Sequence, residues 1–381
     1  MKRIVYITGT RADYGLMRST LGSIEKQRDL ALSLIVTGMH LSREFGYTFR
    51  EVQRDKFKIA AKVPTLLSQD TCTGTVKSFG RFVVRLADIL EKLNPDILLL
   101  LGDRWEMMAG ALVGAYTNKL VAHIAGGEAS GSIDEPNRHV ITRFAHLHFV
   151  ANEEYAKRLI KMGEEQNRIH IVGAPGLDDV VKKNYCQADR VEKEFGIDPH
   201  RPLLLVVQHP VLAEYENADR QMATTLEAVV RFNYQTIVIY PNADPGGRKM
   251  IRVINQYQKK FSFIHSYENL PREAYLGLMA VSSAMIGNSS SGLVEAPSLN
   301  LPVVNIGTRQ TGRIRSKNVM DVDYDASRIF AAIKKALSKE FVAEIKNTKN
   351  PYGEGKTGAK ISAILAQLKI DSHVLQKRLS Y

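Results

Sequence analysis

The sequence predicts an α/β fold made of two doubly wound, Rossmann-like domains that face each other across a cleft. Short apolar runs typical of buried strands alternate with helix-length segments, which indicates βαβ units and parallel sheets. The strands fall into two series, separated by a polar stretch from about Gly176 to Arg201. A chain of 381 residues also suggests two domains, at roughly 150 residues each.

The first series of strands predicts an N-terminal domain over residues 1–176. It begins with the apolar run Ile4–Ile7, a glycine-containing turn and a helix from about Tyr14 to Lys26. Further helices are expected over Val76–Leu93 and Met107–Tyr116. The other predicted strands are Leu32–Val36, Ile97–Leu101, Val121–Ile124, His148–Val150 and Ile169–Val172.

The second series predicts a C-terminal domain over residues 177–360. A last helix, from about Lys356 to Gln376, would place residues 361–381 where they could pack back on the first domain. In open parallel sheets, ligands bind beyond the carboxyl ends of the strands, so the polar residues after each strand are the candidates for function. The strands of this series are expected at Leu203–Val207, Thr236–Tyr240, Phe261–His265, Ala284–Ile286 and Pro302–Ile306.

The composition excludes a disordered chain, because 44% of the residues are hydrophobic and 24% are charged. Lys and Arg number 52 against 40 Asp and Glu, and the net charge of +12 indicates an anionic partner. Nucleic acid, membrane lipid and a phosphorylated metabolite would all fit this charge. The basic residues are scattered, without a helix-turn-helix or an aromatic RNA platform, so we expect no nucleic-acid partner.

Cysteine content and hydropathy favour a cytoplasmic protein. The two cysteines, Cys72 and Cys186, are too few for a disulfide framework and have no metal-ligand spacing. No apolar run approaches the roughly 20 residues needed to cross a bilayer. The N-terminal run Ile4–Ile7 is too short for the core of a signal peptide, so no membrane partner is expected.

Charged residues follow the strands of the first series. Arg11, in the segment TGTRADYG, lies near the start of a helix, and this position favours the binding of an anion. The segment does not match the GxGxxG dinucleotide-binding fingerprint. Asp103 and Arg104 follow Ile97–Leu101 directly. Glu128 and Asp134 follow the next strand, in AGGEASGSIDEPNRH, and neighbouring acids of this kind suit acid/base chemistry.

Two structural roles are expected beside these functional ones. One of Asp134 and Glu135 should cap the helix that follows, with Pro136 in its first turn. His146 and His148 form an H-x-H pair for which no third metal ligand has suitable spacing, so core positions are favoured over a metal site.

The second series ends in residues suited to a diphosphate. His209 follows its first strand, and the segment IGNSSSGLVEAP supplies Ser289 and Ser290 with several backbone amides. Glu295, about a turn further on, could accept hydrogen bonds from two ribose hydroxyls. The segment GTRQTGR adds Arg309 and Arg313, and a diphosphate in the cleft would explain Arg11, His209, the serine loop and Arg309 together.

Taken in order, these motifs resemble one enzyme family across nearly the whole chain. They are similar to those of the hydrolysing UDP-N-acetylglucosamine 2-epimerases, which begin sialic-acid and related nonulosonic-acid synthesis. That resemblance implies the glycosyltransferase-B type of fold, a homodimer or a dimer of dimers, and no cofactor or metal. The motifs are TGTRADYG, TGMH, LGDRWE, HIAGGEASGSIDEPNRH, QHP, GNSSSGLVE, GTRQ and NPYGEG.

The resemblance also implies roles for individual residues. UDP would lie against the second domain, with Ser289 and Ser290 at the phosphates and Glu295 on the ribose. Asp103 and Asp134 match catalytic acids of the family. The other matching positions are Arg11, Arg104, His209, Asn242 and Arg309 for the nucleotide, and His40 and Arg138 near the sugar.

Ala125 departs from the family pattern. Many members carry a glutamate there, which is held to be a catalytic acid/base, and alanine cannot carry a proton. Glu128, three positions on, is the substitute that the sequence offers.

The implied reaction converts UDP-N-acetylglucosamine and water to N-acetylmannosamine and UDP, through anti elimination to a 2-acetamidoglycal and hydration. The main alternative is the same reaction on the UDP- or GDP-linked 2,4-diacetamido-2,4,6-trideoxy sugar of legionaminic-acid synthesis. A non-hydrolysing epimerase, a glycosyltransferase and a nucleotide-sugar-binding protein are the remaining alternatives.

Overall fold

The computed structural model describes residues 1–67, 71–346 and 348–380, which form two parallel sheets with helices on both faces. The first sheet has the strand order β3-β2-β1-β4-β5-β6-β7, and all of its strand pairs are parallel. We call this sheet and its helices the first domain. Its strands are β1 Lys2–Thr8, β2 Leu30–Thr37, β3 Ile59–Val63, β4 Ile97–Leu101, β5 Leu120–Ile124, β6 Leu147–Val150 and β7 Ile169–Ile171.

The second sheet has six parallel strands in the order β10-β9-β8-β11-β12-β13, and with its helices it forms the second domain. This is the doubly wound order, in which the chain changes direction between the first and fourth strands and leaves a crevice there. The strands are β8 Leu203–Val207, β9 Gln235–Ile239, β10 Ile264–Tyr267, β11 Ala284–Gly287, β12 Val303–Ile306 and β13 Val319–Val322.

Helices connect the strands, as the alternating pattern predicts. In the first domain they are α1 Arg11–Glu25, α2 Phe49–Arg54, α3 Cys72–Leu93, α4 Trp105–Tyr116, α5 Asp134–Phe144 and α6 Glu153–Lys161. They continue as α7 Leu177–Val181, α8 Ala188–Phe195, α9 Ala218–Val230, α10 Gly247–Lys260, α11 Arg272–Val281, α12 Ser291–Val294, α13 Ala326–Ala336, α14 Lys339–Ile345, α15 Thr357–Gln367 and α16 Ser372–Leu375. No helix in the described ranges is both long enough and apolar enough to span a membrane.

The central strands are buried on both faces, which explains their continuous apolar runs. In β1, Ile4 and Tyr6 pack with residues of α1 and α15, whereas Val5 and Ile7 pack on the opposite face with residues of α3 and α4. All four side chains are at most 2% exposed. The second sheet is covered on both faces in the same way by its own helices.

Two strands were not predicted, β3 and β13, and both lie at sheet edges. Their residues are mostly half-buried, so neither strand carries the continuous apolar run that marks the central strands. The predicted strand at Phe261–His265 begins later, at Ile264, because α10 extends to Lys260.

The single helix predicted from Lys356 to Gln376 is wrong, because the chain forms two helices there. α15 ends at Gln367, and the Asp371 carboxylate accepts a hydrogen bond from the Val374 amide at 2.9 Å to begin α16. α15 packs against α1, and the Lys2 ammonium donates to the carbonyl of Leu365 at 3.1 Å. The last part of the chain thus returns to the first domain.

Candidate active site

A cavity lies between the two domains, where the carboxyl ends of both sets of strands meet. Nine of the thirteen predicted site residues line it, five from the first domain and four from the second. A backbone hydrogen bond also joins the two domains here: the Gly131 amide donates to the carbonyl of Arg309 at 3.0 Å. The nine residues are Asp103, Arg104, Glu128, Asp134, Arg138, Asn242, Ser290, Glu295 and Arg309, with Asn242 and those after it in the second domain.

Asp103 lies one residue beyond β4, after Gly102, and forms an ion pair with Arg138 of α5. Arg138 is only 1% exposed, and its Nη1 also donates to the carbonyl of Glu128 at 2.9 Å. Behind Asp103, the buried His123 ring hydrogen-bonds the carbonyl of Gly102 at 2.8 Å. The backbone that carries Asp103 is therefore fixed on the side away from the cavity.

Asp134 is the first residue of α5, and its carboxylate lies 3.4 Å from Arg309 Nη2 of the second domain. The expectation that Asp134 or Glu135 caps this helix is wrong. Ile133 occupies the cap position without a side-chain bond. The Asp134 amide donates to the Ser132 hydroxyl at 3.2 Å, which leaves the Asp134 side chain available to the cavity.

Glu128 is 3% exposed and pairs with Arg313, which also reaches across from the second domain. Ala125, on the same wall, has a left-handed backbone with φ of 65°, a conformation that is costly for residues with a side chain. Its amide donates to the carbonyl of Phe149 at 2.9 Å, which holds the turn in place. The structure thus gives Glu128, rather than residue 125, the carboxylate on this part of the wall.

Arg104 is held by a residue that the sequence reasoning missed, Glu106. The Arg104 Nε and Nη2 atoms lie 3.1 and 3.3 Å from the two Glu106 oxygens, and Glu106 is fully buried. Gly9 leaves room for this carboxylate, since a Cβ at Gly9 would lie 2.6 Å from Glu106 Oε1. Burial raises the pKa of Glu106, and the Arg104 charge opposes that shift. Arg104 Nη1 also lies 3.6 Å from Asp244 across the cleft.

His209 lies behind the cavity and is neutral. Burial, reinforced by the charges of Arg309 and Arg104, lowers its pKa to about 3. The Asn242 amide donates to His209 Nδ1 at 3.3 Å, so the ring proton is on Nε2, where it can be donated to an anion. Asn288 fixes the backbone by accepting from the His209 amide at 2.7 Å.

The serine loop, Gly287–Ser290, begins at the last residue of β11 and leads into α12. Because α12 has only four residues, a ligand here would depend on the loop's hydroxyls and amides more than on a helix dipole. Ser291 and Ser289 lie beside the Tyr275 hydroxyl and act to lower its pKa, which burial raises. Glu295 is 1% exposed and pairs with Arg272 at 2.7 Å, so Arg272 and Tyr275 are further site residues that the sequence reasoning missed.

Four predicted residues do not line this cavity in the described part of the chain: Arg11, His40, His209 and Ser289. Arg11 begins α1 and interacts electrostatically with Glu51 and Tyr275. Both ring nitrogens of His40 are engaged, with the hydroxyls of Thr8 at 2.9 Å and Thr48 at 2.8 Å. Burial lowers the pKa of His40 to about 4. Its role beside the sugar stays a prediction.

His146 and His148 lie in the core of the first domain. The Val121 amide donates to His146 Nδ1 at 3.1 Å, and His148 Nε2 lies 3.0 Å from the Glu164 carboxylate. Among residues 1–67, 71–346 and 348–380, no group of three or more His, Cys, Asp or Glu side chains is arranged to hold a metal ion.

The fold and this site define a nucleotide-sugar enzyme. Residues 22–366 match the family described as UDP-N-acetylglucosamine 2-epimerase. The chain belongs to that family, and it is a UDP-sugar 2-epimerase with the glycosyltransferase-B type of fold.

Two relatives and one solved structure illustrate the similarity. The chain is 39% identical, over all of both chains, to the hydrolysing UDP-N,N'-diacetylbacillosamine 2-epimerase of Legionella pneumophila. It is 37% identical to the UDP-N-acetylglucosamine 2-epimerase of Neisseria meningitidis serogroup B, over 89% of this chain and 88% of that one. A crystal structure of a Neisseria meningitidis UDP-GlcNAc 2-epimerase bound to UDP-GlcNAc superposes with a TM-score of 0.83, at 18% identity, covering 96% of this chain and 100% of that one.

Proposed function

We propose that the protein is a hydrolysing 2-epimerase, which releases UDP from a UDP-linked 2-acetamido sugar and inverts carbon 2. One observation carries this proposal: Asp103, Glu128 and Asp134 face the cavity from the first domain, opposite arginine and hydroxyl groups of the second. The carboxylates suit proton transfer, and the opposing groups suit a diphosphate leaving group.

In the proposed first step, a base removes the proton from carbon 2. The electron pair forms a double bond between carbons 1 and 2, while the bond from carbon 1 to the diphosphate oxygen breaks and UDP leaves. Asp103, Glu128 and Asp134 are the candidate bases. A 2-acetamidoglycal remains in the cavity.

In the second step, water adds its oxygen to carbon 1 and a proton is delivered to carbon 2 from the opposite face. The products are UDP and the free 2-epimeric sugar. A base on one face and an acid on the other are needed, each worth roughly 10²–10⁴-fold in rate. The presence of more than one carboxylate on the wall meets this requirement.

Departure of UDP needs stabilisation of the charge that develops on the diphosphate. Arg104 is already in place, since Glu106 holds it and it needs little reorganisation. The neutral His209 can donate its Nε2 proton to the same anion, and Glu295 is our candidate for accepting hydrogen bonds from the ribose hydroxyls. Arg309 would exchange Asp134 for the diphosphate when substrate binds, which releases Asp134 for chemistry.

Two sugars are candidates. UDP-N-acetylglucosamine is the substrate implied by the motifs, and the Neisseria meningitidis relative is named for it. UDP-N,N'-diacetylbacillosamine is favoured by the full-length Legionella pneumophila relative and by Ala125, whose small side chain leaves space at the cavity wall. That space would suit the second acetamido group.

The test is to incubate the purified protein separately with both UDP sugars and to identify the products by chromatography and mass spectrometry. We expect UDP and a free 2-epimeric sugar from at least one substrate. A UDP-linked epimer as the sole product would instead show a non-hydrolysing epimerase. Binding of both substrates without any product would contradict the proposed activity.

A further inference from the structure

The Glu128 carboxylate is paired with a guanidinium that comes from the opposite domain. Arg313 Nη2 bonds to Glu128 Oε2, and the two side chains are 11% and 4% exposed. Burial of a carboxylate is costly unless it is paired and hydrogen-bonded. Glu128 therefore depends on Arg313 both for its charge balance and for its orientation.

Arg313 is itself held firmly within the loop after β12. Its Nη1 donates to Gln310 Oε1 at 3.1 Å, and Arg315 Nη1 donates to the Arg313 carbonyl at 2.6 Å. Arg315 is anchored in turn by two bonds to the Asp321 carboxylate, at 2.6 and 3.0 Å. Burial acts to lower the pKa of Arg313, but the Glu128 carboxylate raises it overall, so the guanidinium stays charged.

Gln310 connects Arg313 to the serine loop. Its Nε2 donates to the carbonyl of Asn288 at 2.8 Å, and Gln310 is 1% exposed. Asn288 is the residue that fixes the His209 backbone. A continuous chain of hydrogen bonds thus runs from the predicted phosphate-binding loop, through Gln310 and Arg313, to Glu128 in the other domain.

The late motif NPYGEG supports the same loop. The hydroxyl of its tyrosine, Tyr352, donates to the carbonyl of Ile314 at 2.8 Å, next to Arg313. The Tyr155 hydroxyl donates to that of Tyr352 at 3.3 Å, and the Tyr352 side chain is fully buried. Tyr352 therefore braces the backbone at Arg313 from the side of the first domain.

We propose that Arg313 is a positioning residue for the reaction: it fixes the Glu128 carboxylate at the cavity wall, with Tyr352 and Gln310 fixing Arg313. The inference rests on the proposed function, since it gives Glu128 its place in the proton transfers. It predicts that Arg313 affects turnover through Glu128 and has little effect on UDP binding.

The test is a double-mutant cycle with Arg313→Ala and Glu128→Gln, measured as kcat, KM and the Kd for UDP. We expect Arg313→Ala to lower kcat about 10²-fold, which is the lower end of the loss expected when acid/base catalysis is removed. KM and the Kd for UDP should change less than about threefold. In the Glu128→Gln background the same change should cost less than about threefold, because contacting residues that act as a unit are non-additive.

Two milder variants keep the test decisive if Arg313→Ala fails to fold. Arg313→Lys should recover about tenfold of the lost kcat, because it keeps the charge without the planar fork. Tyr352→Phe, which removes the hydrogen bonds of this hydroxyl with Ile314 and Tyr155, should lower kcat about fivefold only when Glu128 is present. Arg328→Ala is the matched control. Arg328 belongs to the same domain, is 70% exposed, pairs with Asp323 and does not line the cavity.

Additive losses in the cycle would overturn the inference, as would full kcat in Glu128→Gln. A weaker Kd for UDP with unchanged kcat in Arg313→Ala would also overturn it, by placing Arg313 on the diphosphate. These outcomes all require a wild-type protein that releases UDP from a UDP sugar. Failure of the wild type to do so would count against the proposed function itself.

Discussion

The two domains share a doubly wound topology but place different functional groups at the cavity. The strands of the first domain lead into Asp103, Glu128 and Asp134, whereas those of the second lead into Arg309, Arg313 and the serine loop. The fold therefore sets where functional groups lie, and the few residues after each strand set what those groups can do.

The two sets of groups also complete each other. Glu128 and Asp134 are each paired with an arginine of the opposite domain, whereas Asp103 is paired within its own domain, with Arg138. The acidic side of the cavity is thus oriented partly by the nucleotide side. Acid/base chemistry is therefore expected to depend on these cross-domain contacts.

The largest effect is expected on the acidic side. Asp134→Asn should lower kcat by about 10²–10⁴-fold, because an amide cannot transfer the proton. The Kd for UDP should stay unchanged or fall, since Arg309 loses a competing carboxylate. Steady-state kinetics and calorimetry with UDP measure the two quantities.

Glu135→Gln is the matched control for Asp134→Asn. Glu135 is the next residue, and its side chain accepts from the Ser130 amide at 2.9 Å, a bond that glutamine can keep. Equal loss of kcat in the two variants would show that the effect is local disruption of α5, against our assignment.

A substitution among the predicted diphosphate-binding residues of the second domain should weaken UDP binding more than it lowers kcat. Arg309→Ala should raise KM and the Kd for UDP by about 10–10²-fold, the amount expected for one or two hydrogen bonds to a charged group. Arg328→Ala should leave both constants unchanged. Unaltered binding in Arg309→Ala would remove this residue from the diphosphate site.

The contact between the two sides can be disturbed directly at Gly131. A Cβ at this position would lie 2.0 Å from the carbonyl oxygen of Thr308, so alanine must push the domains apart. We expect kcat/KM to fall about tenfold in Gly131→Ala, since small misplacements of reacting groups are costly. Gly80→Ala, where no atom lies within 4 Å of the added carbon, should retain activity. Normal kinetics in Gly131→Ala would contradict the cross-domain dependence.

The last prediction concerns the pH dependence of stability, where little effect on activity is expected. The two domains differ here in their number of buried histidines with a lowered pKa. Burial lowers the pKa of His40, His123 and His146 in the first domain to about 4, 3 and 4, and that of His209 in the second to about 3. The unfolded chain binds these protons near pH 6.5 and the folded one does not. The free energy of unfolding should therefore fall as the pH falls from about 6.5 to 4.

Each buried histidine contributes up to about 1.4 kcal/mol per pH unit in that window. Urea unfolding at pH 7.5, 6 and 5 measures the trend. The exposed His200 serves as the control, because His200→Gln should leave the slope unchanged. A free energy of unfolding that stays constant or rises on acidification would contradict the prediction.

Central strands and strand-end motifs could be read from the sequence, because burial on both faces produces continuous apolar runs. The edge strands β3 and β13 could not, since half-exposed residues carry a weaker pattern. The site residues that line the cavity were found from their positions after strands. Glu106 and Arg272 were missed because their roles depend on pairing with Arg104 and Glu295, which only the folded chain reveals.

The most direct test of the account is proton NMR of the wild type and Asp103→Asn with each UDP sugar in deuterium oxide. We predict that the wild type gives free UDP and a 2-epimeric sugar carrying deuterium at carbon 2, whereas Asp103→Asn binds UDP but gives almost no product. Product without deuterium, or near-normal turnover by Asp103→Asn, would contradict proton transfer from the acidic side of the cavity.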